Sequence, residues 1–260
     1  MGKTNNELSE EKGIYKDYFD NTLSRKNFLR YSWIKQKFLG NINSKKILEV
    51  GCGDGGVIEL LKNENSVVGI DISSNGVKNL KSLGIKSYLV DISQEKIPAE
   101  TGFFDFVLVF EVFEHLKSPQ YAIEEIQRVC RKNGIVLLSI PNYRTGHKFI
   151  YRGLFYFKSF EKYLIDNGFE IVDKKQYGIC PPLWNIWGES FLHKQNKTET
   201  VKNRIPFTAR INRYLSSDFF RCIVPTKFSW LLIFELRNRD PDGAKKLYDS
   251  IADETKNAYR

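Results

Sequence analysis

Residues 46–61, KILEVGCGDGGVIELL, place the strongest constraint on how this chain can fold. An apolar run with one embedded carboxylate leads into a glycine-rich turn, after which Val57, Leu60 and Leu61 recur at helical spacing. This pattern predicts a strand, a tight turn and a helix. Glycine suits a place where a buried parallel strand turns sharply and its backbone approaches a ligand. The stretch therefore predicts the beginning of a nucleotide-binding fold.

An acidic residue follows at the spacing that nucleotide sites use. Asp71 comes twenty residues after Gly51, at the end of the apolar run 66–70. A carboxylate at the tip of a second strand can accept both hydroxyls of a ribose. A dinucleotide site and an S-adenosylmethionine site both fit this spacing. Glu49 favours the second, because a carboxylate is repelled by a pyrophosphate and attracted by a sulfonium ligand with an ammonium group.

The run 49–55, EVGCGDG, resembles motif I of the class I S-adenosylmethionine-dependent methyltransferases. The resemblance extends over residues 45–177, and its motif pattern is most similar to that of the ubiquinone-biosynthesis-type O-methyltransferases. It implies an α/β fold with a doubly wound, seven-stranded mixed sheet, an antiparallel last strand and helices on both faces. It also implies S-adenosylmethionine as the cofactor and S-adenosylhomocysteine as the product.

The resemblance assigns further residues to the cofactor. Asp91 and Ile92 follow a predicted third strand, 86–90, and match the family position that meets the adenine ring. A turn-forming aspartate is the alternative, but the register of Asp91 with Glu49 and Asp71 favours the adenine. The predicted cofactor-binding residues are Tyr18, Glu49, Gly51, Cys52, Gly53, Asp71, Ile72, Asp91, Ile92, Phe110 and Glu111.

The segment 111–116, EVFEHL, follows a predicted strand, 103–110, that is apolar apart from Asp105, and is the candidate catalytic region. Methyl transfer from a sulfonium requires alignment of donor and acceptor, and removal of a proton when the acceptor is a hydroxyl. His115 is the best-placed base, since it lies at the mouth of the site after the fourth strand. We predict His115 and Glu114 as catalytic residues; the alternative is that they only shape the loop.

The same segment also resembles a metal-binding triplet. In ubiquinone-pathway O-methyltransferases and small-RNA 2′-O-methyltransferases, a Glu-x-x-Glu-His pattern can hold a divalent metal ion beside the acceptor hydroxyl. Glu111, Glu114 and His115 match it, and their ligand types suit magnesium, manganese or zinc. His147 is only loosely placed for the further histidine of the RNA enzymes. The metal-free alternative, in which Glu111 lies near the cofactor, is favoured over the metal site.

The element pattern divides the chain into four regions. We expect an N-terminal helical lid over 1–44, with two helices and a break near residues 20–22. The cofactor-binding core spans 45–177, an insertion that caps the acceptor spans 178–227, and the final strand and a tail occupy 228–260.

Three helices are predicted within the core from their capping residues. The first is capped by Ser73 or Ser74, the second runs from Ser118 to about residue 133 with Cys130 on its inner face, and the third spans 159–168 with Ser159 as its cap.

The insertion carries the features that distinguish this chain from a minimal domain of its type. Trp184 and Trp187 could form a wall of an acceptor pocket, or a satellite core. The segment 191–227 has eight basic residues against two acidic ones, and so supplies most of the net charge of +9. Such a segment can bind phosphate, a membrane surface or nucleic acid, or form a solvated face.

Composition bounds the remaining possibilities. With 260 residues, 42% hydrophobic and 14% aromatic, the chain is expected to form one folded domain with an elaboration. No apolar run approaches the length of about eighteen residues that a membrane span needs, and the opening residues do not resemble a signal peptide. The four cysteines lack metal-site spacing. We therefore expect a cytoplasmic protein with reduced thiols.

These observations predict O-methylation of a small-molecule, glycan or lipid-linked acceptor with anionic character. The alternative is methylation of RNA ribose, which the metal-like triplet and the basic insertion support but no recognisable RNA-binding module does. A scaffold protein that binds cofactor without catalysis is the least favoured, because motif I and its acids are intact. Peripheral membrane contact is left open.

Overall fold

The computed structural model describes residues 28–53, 55–116, 119–142, 157–179 and 229–239. Within these ranges the strands are β1 Lys46–Val50, β2 Ser66–Asp71, β3 Lys86–Leu89, β4 Phe104–Phe110, β5 Cys130–Pro141, β6 Phe169–Ile179 and β7 Ser229–Asn238. The α-helices are α1 Phe28–Ile34, α2 Gly56–Glu59, α3 Ser74–Ser82, α4 Pro119–Val129 and α5 Phe157–Asp166. One π-helical turn, Lys35–Leu39, extends α1, and a 3-10 turn, Phe113–His115, follows β4. None of the described helices is long and apolar enough to cross a membrane.

The strands form one seven-stranded sheet in the order β3-β2-β1-β4-β5-β7-β6. The pairs among the first five strands of this order are parallel, whereas β7 runs antiparallel to both β5 and β6. The predicted fold class, including the antiparallel last strand, is confirmed. Because the chain winds in opposite directions from β1 and from β4, these neighbours form the switch point outside whose carboxyl ends ligands bind.

Helices cover both faces of the sheet, which explains why its central strands are mainly apolar. Leu48 and Val50 of β1 belong to a core cluster that includes side chains of α4 and α5. Ile47, which points to the opposite face, packs in a second cluster with residues of α1, α2 and α3. The sheet is therefore the middle of three layers, and its edge at the strand ends is left to form the site.

The end of α4 differs from the prediction. The helix stops at Val129, and Cys130 begins β5, where it pairs with Phe104 of β4 rather than lying on the inner face of the helix. The amide of Asn238 donates to the carbonyl oxygens of Gln127 and Cys130, at 3.0 and 2.8 Å. These bonds satisfy the last carbonyl groups of the helix from a strand more than a hundred residues away, which a local capping argument cannot detect.

The start of α5 also differs. The helix begins at Phe157, so Ser159 lies inside its first turn and is not its cap. The apolar stripe explains the earlier start, because Phe157 packs against the core cluster and Phe160, one turn later, is fully buried.

Helix α3 approaches the glycine-rich turn very closely at Gly76. Ser73 caps this helix by accepting a hydrogen bond from the Gly76 N–H, as predicted. A Cβ placed on Gly76 would lie 2.6 Å from the carbonyl oxygen of Gly53, a contact that side chains do not make. The helix therefore needs glycine here because of packing.

We expect Gly76→Ala to destabilise the protein. Alanine is better than glycine in a helix by about 1 kcal/mol, but forcing a methyl group into packed backbone costs about 1–3 kcal/mol. Since backbone cannot move aside as a flexible side chain does, we expect a net loss of about 1–2 kcal/mol in the free energy of unfolding. Urea denaturation measures it. Lys78→Ala, on the exposed side of the same helix, is the control and should not lose stability. A Gly76→Ala protein as stable as wild type would contradict the packing argument.

Candidate active site

The glycine-rich turn after β1 has the backbone that the sequence predicts. Gly51, Gly53 and Gly55 adopt φ angles of +67°, +49° and +111°. A Cβ on Gly51 would lie 2.4 Å from Cγ2 of Val112, so positive φ and close packing both require glycine here. Gly51 is exposed at the end of β1, whereas Cys52, Gly53 and Gly55 are buried, so Gly51 is the residue of the turn that a ligand can approach.

Asp71 joins the turn to the next helix. Its carboxylate Oδ2 accepts a hydrogen bond from the Gly53 N–H at 2.8 Å, and Oδ1 accepts one from the Ser73 N–H at 2.7 Å. Asp71 is thus a structural part of the turn at the tip of β2.

Two further residues of the motif are buried beneath the turn. The Glu49 carboxylate accepts a hydrogen bond from the N–H of Ile58 in α2 at 3.2 Å. Cys52 is buried, and its Sγ is 2.9 Å from where a Cβ of Gly69 would lie. Glu49 therefore ties β1 to the short helix, and Cys52 occupies a space that only a small side chain fits.

The carboxylate of Asp91 is engaged by its own loop. It accepts hydrogen bonds from the N–H of Ser93 at 3.1 Å, the hydroxyl of Ser93 at 2.5 Å and the amide of Gln94 at 2.8 Å. This is the arrangement of a turn-forming aspartate, the alternative weighed for this position. Ile92, which follows it, is buried. A contact of Asp91 with adenine remains a prediction.

Glu111, directly after β4, has an unusual backbone conformation. Its φ is +54°, a region that residues with a side chain rarely adopt and that costs about 1–3 kcal/mol. Its N–H donates to the hydroxyl of Ser139 at 3.0 Å, and its carboxylate pairs with Nη1 of Arg30 at 2.5 Å. Such strained residues cluster at ligand sites.

Helix α1 carries Arg30 to this position. The ring of Tyr31 lies against Gly56, where a Cβ would be 3.0 Å from Cζ of the ring. The ring of Trp33 is 5.2 Å from that of Tyr177 in β6, and Lys35 donates to the carbonyl oxygen of Leu60 at 2.9 Å. These contacts dock α1 and its π-helical turn on the segment around α2 and on β6.

Glu114 is fully buried in the 3-10 turn after β4. Neither of its carboxylate oxygens has a hydrogen-bond partner among the described residues, and the same holds for Nε of Arg30. Burial, and then the charge of Glu111, raise the pKa of Glu114 well above its ordinary value. Because buried polar groups normally find a partner, these orphaned atoms mark a place where a ligand or water completes the structure.

His115 lies beside Glu114 and reaches the surface. Its Nε2 is 3.9 Å from Oε1 of Glu114, too far for a hydrogen bond, and about a third of its side chain is exposed, 34%. Of the two predicted catalytic residues, Glu114 is buried and only His115 has a side chain that an incoming molecule can contact.

The described residues do not fit the predicted metal site. They contain no group of three histidine, cysteine, aspartate or glutamate side chains that could hold a metal ion. Glu111, one member of the predicted triplet, is instead paired with Arg30. His147 lies outside the described residues. We therefore derive no step through a metal.

Of the remaining predicted residues, two lie at the strand ends that form the site and one is not described by the structure. Phe110 is the last residue of β4 and is buried opposite Ser139 of β5. Ile72 follows Asp71 directly. Tyr18 lies outside the described residues, as do the first of the two predicted N-terminal helices and residues 180–228 and 240–260.

Sequence reasoning missed Arg30, Val112 and Ser139. A signal existed for two of them: Arg30 is the one charged residue in the helix FLRYSWI, and Ser139 is the one polar residue in the strand run IVLLSI. A polar group in an apolar segment usually has a reason to be there. Val112 carried no such signal.

Comparisons with known proteins agree with this geometry. Residues 48–138 match the family model described as a methyltransferase domain. The ubiquinone biosynthesis O-methyltransferase of Pectobacterium atrosepticum is 31% identical over 126 residues, which cover 46% of this chain and 52% of the relative. The chain spans about half the length of the curated relatives it matches.

Solved structures share the fold at low sequence identity. A SAM-dependent methyltransferase from Archaeoglobus fulgidus superposes with a TM-score of 0.54 and 15% identity, covering 86% of this chain and 98% of that one. The cyclase SpnF gives a TM-score of 0.52 with 17% identity, covering 80% of this chain and 79% of that one. The fold is therefore shared with a protein named for another activity, so the site has to carry the functional argument.

Proposed function

Because this chain carries a class I S-adenosylmethionine-dependent methyltransferase domain, we propose that it transfers a methyl group from this cofactor to a hydroxyl oxygen of a small-molecule acceptor. Relatives named for O-methylation support the choice of oxygen. One observation carries the proposal: the parallel strands β1, β2 and β4 end at one edge of the sheet, with the glycine-rich turn, Asp71 and Glu111 at their tips.

The charges at this edge match the amino-acid end of the cofactor, which has a carboxylate and an ammonium group. Arg30 offers a buried guanidinium whose Nε has no partner among the described residues, and Glu111 offers a carboxylate beside it. Since a planar guanidinium recognises carboxylates well, we expect Arg30 to bind the cofactor's carboxylate and Glu111 its ammonium group. The backbone of residues 51–53 would lie close to this end of the cofactor.

The nucleoside end would lie along the neighbouring strands. Asp71, the last residue of β2, is the candidate acceptor for the ribose hydroxyls, with Ile72 beside it. Asp91 and Ile92 are the candidates for the adenine ring, and the hydrogen bonds of Asp91 to Ser93 and Gln94 would have to open or be shared for this contact.

His115 is the proposed base for the transfer step. The cofactor supplies a methyl group on a positively charged sulfur, which makes that methyl carbon electrophilic. The acceptor oxygen forms the new bond to carbon, the bond from carbon to sulfur breaks, and the hydroxyl proton passes to the imidazole of His115 and then to water. The exposure of the ring supports this route to solvent. Glu114, buried behind it, would hold the turn that carries His115.

The identity of the acceptor rests on the sequence of the predicted insertion, 178–227. Its first two residues belong to β6, and residues 180–227 lie outside the described part of the chain. Its tryptophans and basic residues favour an acceptor with an apolar body and an anionic group, including a glycan or lipid-linked molecule. The ribose of RNA is the alternative acceptor.

The test combines binding with transfer. Calorimetry should give binding of S-adenosylmethionine and of S-adenosylhomocysteine. Labelled S-adenosylmethionine should transfer its methyl group to a hydroxyl-bearing small molecule, glycan or lipid in a panel that also contains total RNA. Absence of cofactor binding would overturn the proposal. Binding without transfer to any of these classes would point to a different use of the fold, and transfer to RNA alone would establish the alternative.

A further inference from the structure

Ser139 is a buried hydroxyl in a strand that is otherwise apolar. It has no exposed surface and lies in β5 between Leu138 and Ile140, with Phe110 of β4 on one side and Ile233 of β7 on the other. A hydroxyl taken from water into such surroundings is unfavourable unless it makes a hydrogen bond. Packing alone would favour an apolar side chain at this position.

The hydroxyl of Ser139 makes its bond to the backbone of the site. The ladder between β4 and β5 ends at the pair of Phe110 and Ser139, and the next N–H, that of Glu111, donates to Oγ of Ser139 at 3.0 Å. At this residue the chain leaves the extended conformation for a φ of +54°. The bond therefore anchors the first residue of the turn in the conformation that the turn requires.

We propose that Ser139 is a positioning residue that holds Glu111 in its left-handed conformation and thereby directs the Glu111 carboxylate towards Arg30 and the amino-acid end of the cofactor. The inference rests on the proposed function, since it takes Glu111 as part of the cofactor site. Its physical basis is that glutamate does not favour this backbone conformation, so that neighbouring contacts have to maintain it. The contacts that do so are the Ser139 bond at the backbone and the Arg30 ion pair at the side chain.

The first experiment compares two buried serines. Ser87 of β3 is also buried, with 3% of its surface exposed, and its hydroxyl donates a hydrogen bond to the carbonyl oxygen of Val77 at 3.0 Å. Ser139→Ala and Ser87→Ala should lose similar thermal stability. We expect Ser139→Ala to weaken S-adenosylmethionine binding about three- to tenfold, and Ser87→Ala to change it by less than about twofold, as measured by calorimetry.

The second experiment asks whether Ser139 acts through Glu111. Glu111→Gly removes the carboxylate but tolerates the positive φ. In this background Ser139→Ala should cause no further loss of affinity, whereas an equal loss in both backgrounds would mean a general structural effect and would overturn the proposal. Ser139→Thr, which keeps the hydroxyl, should bind more tightly than Ser139→Ala.

Two results keep the test decisive. If Ser139→Ala does not fold, Ser139→Cys fills nearly the same space with a weak acceptor and should show the same loss. A Ser139 variant without the hydroxyl that binds the cofactor as wild type does would overturn the inference. Failure of the wild-type protein to bind S-adenosylmethionine would instead overturn the proposed function, so the two failures are distinguishable.

Discussion

We expect His115→Ala to lower the turnover number by about two to four powers of ten, the usual contribution of a positioned base. The affinity for S-adenosylmethionine should stay within about twofold of wild type. The residues assigned to the cofactor, which make its hydrogen bonds, do not include His115. Turnover with a saturating acceptor, together with calorimetry of cofactor binding, measures both quantities.

Phe113→Leu is the control for this variant. Phe113 lies in the same 3-10 turn and packs edge-on against Phe160, with ring centroids 5.9 Å apart. The substitution should reduce stability without removing the base, so turnover should persist where the protein is folded. If His115→Ala kept near-normal turnover, the histidine would have only a role in shaping the turn. Loss of activity in chelator, restored by magnesium, manganese or zinc, would revive the metal prediction.

The sequence predicted those parts of the fold that local patterns determine. Strand β4 was recognisable because seven residues, Phe104–Phe110, are apolar apart from Asp105, as a strand buried on both faces requires. The glycine-rich turn was recognisable because positive φ and close backbone approach both select glycine. The cap of α3 followed from Ser73 in the same way.

Contacts between distant residues were beyond such patterns. The end of α4 depends on the Asn238 side chain, and the conformation of Glu111 depends on Arg30 from α1 and Ser139 from β5. These bonds join residues that are 28 to 111 positions apart. Local spacing contains no information about which distant polar group will satisfy a helix end or a strained turn.

The environments of Glu111 and Glu114 illustrate the same limit within one motif. The pattern treats both as acids of one triplet, but Glu111 is partly exposed and ion-paired, whereas Glu114 is fully buried with a raised pKa. Residues three apart after a strand can point to different surroundings, and surroundings decide which carboxyl group is charged. The sequence therefore identified the right segment without distinguishing the roles within it.

We expect Asp71→Ala to weaken S-adenosylmethionine binding by about 1.5–3 kcal/mol, the range for hydrogen bonds to a charged group. This corresponds to a rise of about twelve- to 150-fold in the dissociation constant. The structure gives two sources for the loss: the acceptor capacity that we assign to the ribose, and the bonds that hold Gly53 and Ser73. Calorimetry measures the total loss of binding free energy, and a comparison with a second ligand separates the two contributions.

Asp105 provides the matched control, because its carboxylate also accepts a backbone N–H, from Lys46 at 2.9 Å, but at the opposite end of the sheet. Asp105→Ala should leave cofactor affinity unchanged. A cofactor analogue without the two ribose hydroxyls should bind wild type more weakly. If the carboxylate acts partly through the ribose, Asp71→Ala should weaken binding of this analogue less than it weakens binding of S-adenosylmethionine. If Asp71→Ala lowers the affinity for S-adenosylmethionine and for the analogue by the same factor, Asp71 acts only by shaping the turn. An unchanged affinity for S-adenosylmethionine itself would remove Asp71 from the site altogether.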